Sequence, residues 1–270
     1  MSKVEVLCAT MHQKDFSKIA DMNIQSDVVF ANQADDFRYD EVSFGKNCAR
    51  MITTNTRGVG INRNIALMYA RGEYLLFSDD DLKYVEKYTQ IIEEAFLQIP
   101  DADCIIFNIE TVGSDRKRRK NEKIKRVRWY NALNYGAVRI AVKQLSVRRD
   151  NIMFNRNYGG GTPFSCGEDT LYIVDMLKNK FKIYTYSKTI ATVDQNQSTW
   201  FKGYNEKYFY DKGVLYASIS RFWASALCLQ NLMRHPDYKK NGLTFLAAYQ
   251  WMIRGVKNQN RMQPFQKENG

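Results

Sequence analysis

Three consecutive carboxylates, Asp79, Asp80 and Asp81, follow the apolar run YLLF at residues 74–77 with only Ser78 between. Side chains of like charge this close repel one another unless a cation sits among them. The cation that carboxylate oxygens select is a hard one, such as Mg²⁺ or Mn²⁺. Asp79 and Asp81, two apart, can face one ion from a sharp turn. A solvated acidic turn, or a cap for a helix near Tyr84, is the alternative. A second acidic group, Gly167-Glu168-Asp169, follows the glycine-rich stretch YGGGTPF at 158–164 and opens a helical pattern. A carboxylate there can take the proton of an attacking hydroxyl. Its alternative is structural: Asp169 caps the helix and Glu168 favours its dipole.

Other chemistries are poorly supplied. His12 and His235 are the only histidines, which excludes a His-rich metal site and argues against a Ser-His-Asp triad. The cysteines (Cys8, Cys48, Cys104, Cys166 and Cys228) are odd in number, scattered, and form no CxxC pair. That pattern suits packed thiols in a reducing compartment.

The elements that must hold the two acidic groups are legible in the hydrophobic periodicity. Strands are expected at 4–8, 27–31, 74–77 and 104–107. Helices are expected over 15–23, from Asn62 as N-cap to Gly72, and from Val85 to Pro100 along Tyr88, Ile92, Phe96 and Ile99. This alternation predicts an α/β fold with a mostly parallel sheet flanked by helices, and ligands bind such sheets past the C-terminal ends of the strands. The stretch 137–142 alternates like a strand, 158–164 reads as a loop, a helix runs from Asp169 to about Asn179, and 182–186 is a late strand. From about 205 onward the chain is helical in character. Leu215, Ile219, Phe222, Trp223, Ala226 and Leu227 fall on one helical side, and a second amphipathic segment spans 243–256. These segments are expected to pack on the preceding domain, or to contact a membrane surface or a second copy. The polar and aromatic segment 195–210 suits a lid, with Ser198, Thr199 and Trp200 as ligands, or an ordinary surface loop.

The chain has 270 residues, with 40 Lys or Arg against 29 Asp or Glu and a formal net charge of +11. Nine of the basic residues lie in RKRRKNEKIKRVR, residues 116–128. A local block of this kind is a solvated loop or one contact surface. An anionic membrane face or lipid-diphosphate is a better partner for it than nucleic acid, because no stacking aromatics are interleaved before Trp129-Tyr130. No apolar run reaches the roughly 20 residues that cross a bilayer, and no secretory leader is visible at the N-terminus.

Together VEVLCAT (residues 4–10), GVGINRNIALMYARGEYLLFSDDD (58–81) and CGEDTLYIVDMLKNKFKI (166–183) resemble the family-two glycosyltransferases of GT-A fold. The resemblance covers about residues 4–200 and implies a catalytic domain over 1–204 with a C-terminal helical extension over 205–270. It implies that Asp81 binds a divalent cation, Mn²⁺ or Mg²⁺, and that Asp79 binds the same metal or the ribose, with Asp80 the variable position between them. Thr10 would sit beside the nucleotide and Arg63 near its base or diphosphate. Asp169 would be the catalytic base and Glu168 its orienting neighbour. The family's acidic pair that reads uracil is replaced by Asn32-Gln33, Asp35 and Asp36 lie too late, and Ala9 stands where a proline is usual.

The expected activity is therefore inverting, metal-dependent transfer from a nucleotide-diphosphate sugar, of UDP type, to a hydroxyl of a saccharide acceptor in surface-polysaccharide assembly. A polyprenyl-diphosphate-linked acceptor would place the enzyme in the cytoplasm, peripheral to the inner membrane face. A sugar nucleotidyltransferase is the competing enzyme, but it calls for a glycine-rich loop that CATMHQKDFS (8–17) lacks. A non-enzymatic basic membrane- or nucleic-acid-binding protein is the competing class without catalysis.

Overall fold

The computed structural model describes residues 3–113, 120–194 and 203–259. Its centre is strand β1 (Val4–Met11), buried at every residue but the last. β1 pairs in parallel with β2 (Asp27–Gln33) and with β5 (Tyr74–Asp79). β4 (Asn47–Thr54) continues the sheet parallel to β2, and β3 (Arg38–Phe44) closes that edge antiparallel to β4. Beyond β5, β9 (Ile140–Lys143) runs antiparallel between β5 and β7 (Cys104–Val112). β10 (Ile183–Asp194) lies parallel to β7, and β6 (Leu82–Tyr84) pairs antiparallel with β10. The two-residue β8 (Lys125–Arg126) pairs with β10 off the main path, which is ordered β3-β4-β2-β1-β5-β9-β7-β10-β6.

Both faces of this sheet are covered, as near-continuous apolar strands require. Val4, Val6 and Cys8 of β1 point into one layer with Tyr88, Ile92 and Phe96 of α3 (Tyr88–Gln98). Leu7 points the other way, into the layer built by α2 (Val59–Tyr69) and α5 (Glu168–Lys178). Two short helices, α1 (Lys18–Asp21) and α4 (Gln144–Arg149), complete this part. The chain then forms α6 (Glu206–Ile219), α7 (Ala224–Arg234) and α8 (Phe245–Asn258), which share a core of Phe209, Cys228, Leu232, Tyr238 and Met252.

Several elements differ from the expectation. The hairpin β3–β4 carries no strong signal, because β3 is exposed along most of its length and alternates weakly. The cap of α2 is Gly58, not Asn62, which lies one turn inside the helix and is buried. The run 137–142 opens as a 3₁₀ turn over 137–139 before β9 begins. The apolar side drawn through Leu215 and Leu227 is broken at Ser220, where α6 ends. Phe222 and Trp223 sit at that corner, 84% and 60% exposed.

Candidate active site

The strand register brings the expected site residues to one edge. Asn32 pairs with Thr10 across β2 and β1, and Ala9 pairs with Asp79 across β1 and β5. All lie at the C-terminal ends of parallel strands, where an open α/β sheet binds its ligands. β5 ends at Asp79, and Asp80 and Asp81 form the two-residue turn into β6. None of the three carboxylates caps a helix.

α2 sends Arg63 into this edge. The residue is only 3% exposed, and its guanidinium fork spans both acidic groups. Nη2 donates to Asp79 Oδ1 at 2.9 Å; Nη1 donates to Asp169 Oδ1 at 2.8 Å and to Glu168 Oε1 at 3.2 Å. The Arg63 guanidinium lies over the Phe154 ring, 5.4 Å from its centroid. Asn64, the next residue of α2, clamps the Phe154 backbone: its Nδ2 donates to the carbonyl at 2.9 Å and its Oδ1 accepts from the N–H at 2.7 Å. Burial disfavours the charge on Arg63, but the charges of Asp79, Asp169 and Glu168 outweigh it and raise its pKa. Burial pushes the Glu168 carboxyl from its ordinary 4.5 up to about 7; the charge of Asp169 adds to the rise and Arg63 opposes it.

Gly167, not Asp169, is the N-cap of α5, and no side chain caps that helix. The first turn is therefore free to present Glu168 and Asp169 to Arg63. Gly159 of the glycine loop makes room for this: at φ +101°, a Cβ there would come within 2.8 Å of the Glu168 carboxyl. Gly136 passes the other carboxylate so closely that a Cβ would lie 3.3 Å from Asp169 Oδ2.

Beside this cluster, the Thr10 hydroxyl donates to Asp80 Oδ2, the Asn62 amide donates to the Thr10 carbonyl at 3.1 Å, and Lys18 Nζ donates to the Asp80 carbonyl at 3.2 Å. Asp80 is thus anchored and is no bystander between its neighbours. Asn32 is fully buried and fully engaged. Its Oδ1 accepts from the Gln13 N–H at 2.9 Å, and its Nδ2 donates to the Gln13 carbonyl at 3.0 Å and to the Thr53 hydroxyl at 3.1 Å. Gln33 Nε2 donates to the Gly58 carbonyl at 3.0 Å. Lys18, Gln13 and Gly136 escape a sequence reading, since nothing in their local pattern links them to this site, whereas Asn62 reads only as a helix cap and Gly159 only as part of the glycine loop. Ser198, Thr199, Trp200 and the basic residues 116–119 lie outside the described residues.

The donor set can be weighed against a divalent cation. At this edge Arg63 meets the carboxylates of Asp79, Glu168 and Asp169, and Lys18 meets the backbone carbonyl of Asp80, in the turn that also carries Asp81. Among the described residues, no three His, Cys, Asp or Glu side chains form a ready-made metal cage. Mg²⁺ commonly takes one or two protein carboxylates and completes its shell with substrate phosphates and water. Asp79 and Asp81 fit that demand: both are oxygen donors, Asp79 is half-buried, and Asp81 is exposed in the turn.

The mostly parallel sheet flanked by helices is a GT-A fold. Residues 34–181, more than half the chain, match the model of Glycosyl transferase family 2, and the chain belongs to that family. It is an enzyme of glycosyl transfer. The matched range includes Arg63, Asp79–Asp81 and Glu168-Asp169 and leaves out Thr10, Asn32 and Gln33. No curated protein matches the chain by sequence. Among solved structures, it resembles S. aureus TarS 1-349 in complex with UDP-GlcNAc at 17% identity and a TM-score of 0.62, covering 94% of this chain and 81% of that one. The complex of S. aureus TarS 1-349 with UDP is similar at 14% identity and a TM-score of 0.59, covering 97% and 93%. At such identities the likeness is one of fold.

Proposed function

We propose that this glycosyltransferase moves a sugar from a nucleotide-diphosphate donor, of UDP type, to a hydroxyl of a saccharide acceptor, in a single displacement that inverts the anomeric carbon. The observation that carries the reading is the Arg63 fork, which gathers Asp79 from the donor side and Asp169 and Glu168 from the helix opposite. One displacement requires a leaving-group site and a base on opposite sides of the sugar, held at fixed distance.

Asp169 is the base. One of its oxygens is held by Arg63, so the carboxylate is aimed before the acceptor arrives, and its side chain stays 28% exposed to an approaching hydroxyl. Glu168 shares the Arg63 fork and tunes the pair's charge. Thr10 and Asp80 brace the floor of the donor site, and Asn32 acts on the base pocket through Gln13, whose backbone it clamps, beside Gln33. Asp79 and Asp81 would hold Mg²⁺ or Mn²⁺, which when bound supplies the positive charge a leaving diphosphate needs. The presence of UDP and UDP-GlcNAc in the TarS structures supports a uridine donor.

The catalytic domain would be 1–204 and the extension 205–270, whose described part carries α6, α7 and α8. Among the described residues, no helix is long and apolar enough to cross a membrane. A lipid-linked acceptor in surface-polysaccharide assembly would then be met by peripheral attraction of the basic run 116–128 to the inner membrane face.

The test is a panel of UDP- and GDP-sugars incubated with the protein and Mn²⁺, scored for slow donor hydrolysis. Turnover of one donor that is lost in excess chelator and in Asp81→Ala, with folding intact, is the expected result. Full activity in chelator would remove the metal from the account.

A further inference from the structure

One face of α6 carries Lys207, Asp211, Leu215 and Ser218, spaced four, four and three residues apart. That spacing puts them in a single stripe. All four meet the segment that leads into Glu168. Lys207 Nζ donates to the Pro163 carbonyl at 2.9 Å. Asp211 Oδ2 accepts from the Ser165 N–H at 2.9 Å, from the Ser165 hydroxyl at 2.7 Å and from Lys207 Nζ at 2.6 Å. Gly167 lies against Leu215 so closely that a Cβ would come within 2.6 Å of Leu215 Cδ1. The Ser218 and Tyr158 hydroxyls are 2.7 Å apart.

Asp211 is fully buried, and its Oδ1 has no hydrogen-bond partner among the described residues. A buried carboxylate left half-satisfied is expensive. Three bonds converging on one oxygen offset that cost, and they do so by fixing Ser165, three residues ahead of Glu168. The opposite side of α6 is equally committed. Gly213 abuts the Met252 carbonyl of α8, and Gly255 of α8 abuts the Tyr210 carbonyl. At these two glycines no side chain fits, so α6 and α8 meet backbone to backbone, and Phe209 and Met252 pack beside that contact.

We propose that Asp211 is a positioning residue for glycosyl transfer: through Ser165 and Gly167 it sets where the first turn of α5 presents Glu168 and Asp169 to Arg63. The C-terminal helices are then part of the catalytic unit. This rests on the assignment of Asp169 as the base. A misplacement of about 1 Å costs on the order of 10²-fold in rate. Displacement of this kind lowers kcat and spares the donor site, which is built on β1, β2 and β5.

The experiment compares Asp211→Asn, Ser165→Ala, Ser165→Thr and the Asp211→Asn/Ser165→Ala double variant. Each is measured for kcat and donor KM on the nucleotide-sugar that the wild type turns over, for UDP affinity with Mn²⁺, and for Tm. Rates are normalised to UDP-binding sites so that unfolded protein does not count. Asp211→Asn and Ser165→Ala should each lower kcat at least tenfold, with donor KM and UDP affinity within about twofold of wild type. The double variant should be no slower than the worse single, because both act through one contact. Ser165→Thr, which keeps the hydroxyl, should recover most of the rate. Wild-type kcat in Asp211→Asn overturns the proposal, and so does joint loss of UDP binding, Tm and rate. Asp169→Asn serves as the control: if it stays active, the base assignment fails, whatever Asp211→Asn does.

Discussion

Arg63 Nη1 lies 2.8 Å from Asp169 Oδ1 and Nη2 lies 2.9 Å from Asp79 Oδ1, so one guanidinium ties together residues 106 and 16 positions away in the chain. The Arg63–Asp169 bond links α2 to α5 across the mouth of the sheet. A planar fork with two donating ends can hold both carboxylates at once, whereas a lysine is a single point charge. Arg63→Lys should therefore keep part of the charge balance and lose the geometry. Transfer is expected to fall by about 10²-fold or more for a displaced base. Arg63→Ala leaves three clustered carboxylates without their cation and should also cost stability, about 3–5 kcal/mol for a broken buried pair. Equal activity of Arg63→Lys and wild type would show that the fork is not needed.

Glu168 makes the site sensitive to pH near neutrality. The folded chain holds the Glu168 proton up to about 7, against an ordinary 4.5. The folded state thus binds more protons than the unfolded chain between those values. Stability from this group is complete below about 4.5 and is lost as pH rises through about 7. Glu168→Gln, which mimics the protonated form, should flatten that slope in a series of melts. The same substitution should remove the limb near pH 7 from the kcat profile, since ionisation of Glu168 is what changes the charge beside Asp169. Persistence of both features in Glu168→Gln would assign them to another group.

Much of this site was open to a reading of the residues. The Asp79–Asp81 turn is marked by an apolar strand running straight into it, and Glu168-Asp169 by a glycine loop before a helix. Each mark is local. What joins them is not: Arg63 sits in an ordinary helical pattern, and only the packing of α2 against Phe154 and α5 turns it into a hub. Asn32 shows the converse. Its place in chain order suggests base recognition, yet its amide is consumed by Gln13 and Thr53. The β3–β4 hairpin was illegible because an exposed edge strand has one dry neighbour and little pressure to alternate. Ser220 splits an apparently continuous apolar stripe, as serine can end a helix or sit within one.

Far from the site, Glu5 and Arg50 form a buried ion pair at the opposite end of β1, with side chains 0% and 2% exposed. Glu5 Oε2 also accepts the N–H groups of Arg71 and Gly72 at 2.6 and 2.7 Å, and Arg50 Nη1 donates to the Tyr69 carbonyl at 2.6 Å. The pair thus closes the C-terminal end of α2. Arg50→Met leaves Glu5 buried without its cation and should lower stability by about 3–5 kcal/mol. Specific activity per folded molecule should be unchanged. A denaturant melt within about 0.5 kcal/mol of wild type would rule out this anchor.

The basic run should bind anionic lipid. Its described part, residues 120–128, is followed by Trp129 and Tyr130, which are 53% and 83% exposed, and aromatic rings at that position can sit at headgroup level. The protein should pellet with vesicles containing phosphatidylglycerol at low ionic strength and be released by high salt, as exposed charges are screened. Replacing residues 116–120 with Ser should weaken pelleting and leave donor hydrolysis intact. Equal pelleting of the two proteins would shift the contact to the exposed Phe222 and Trp223.

In the proposed reaction Asp169, held by Arg63 opposite Asp79, takes the acceptor proton in one inverting displacement. The most direct test is to follow the anomeric proton of the product by NMR, with the donor that the wild type turns over, in wild type and in Asp169→Asn. The wild type should give a product of inverted configuration. Asp169→Asn should lower the rate by about 10²–10⁴ with UDP binding unchanged. A product of retained configuration, or near wild-type transfer in Asp169→Asn, would contradict this mechanism.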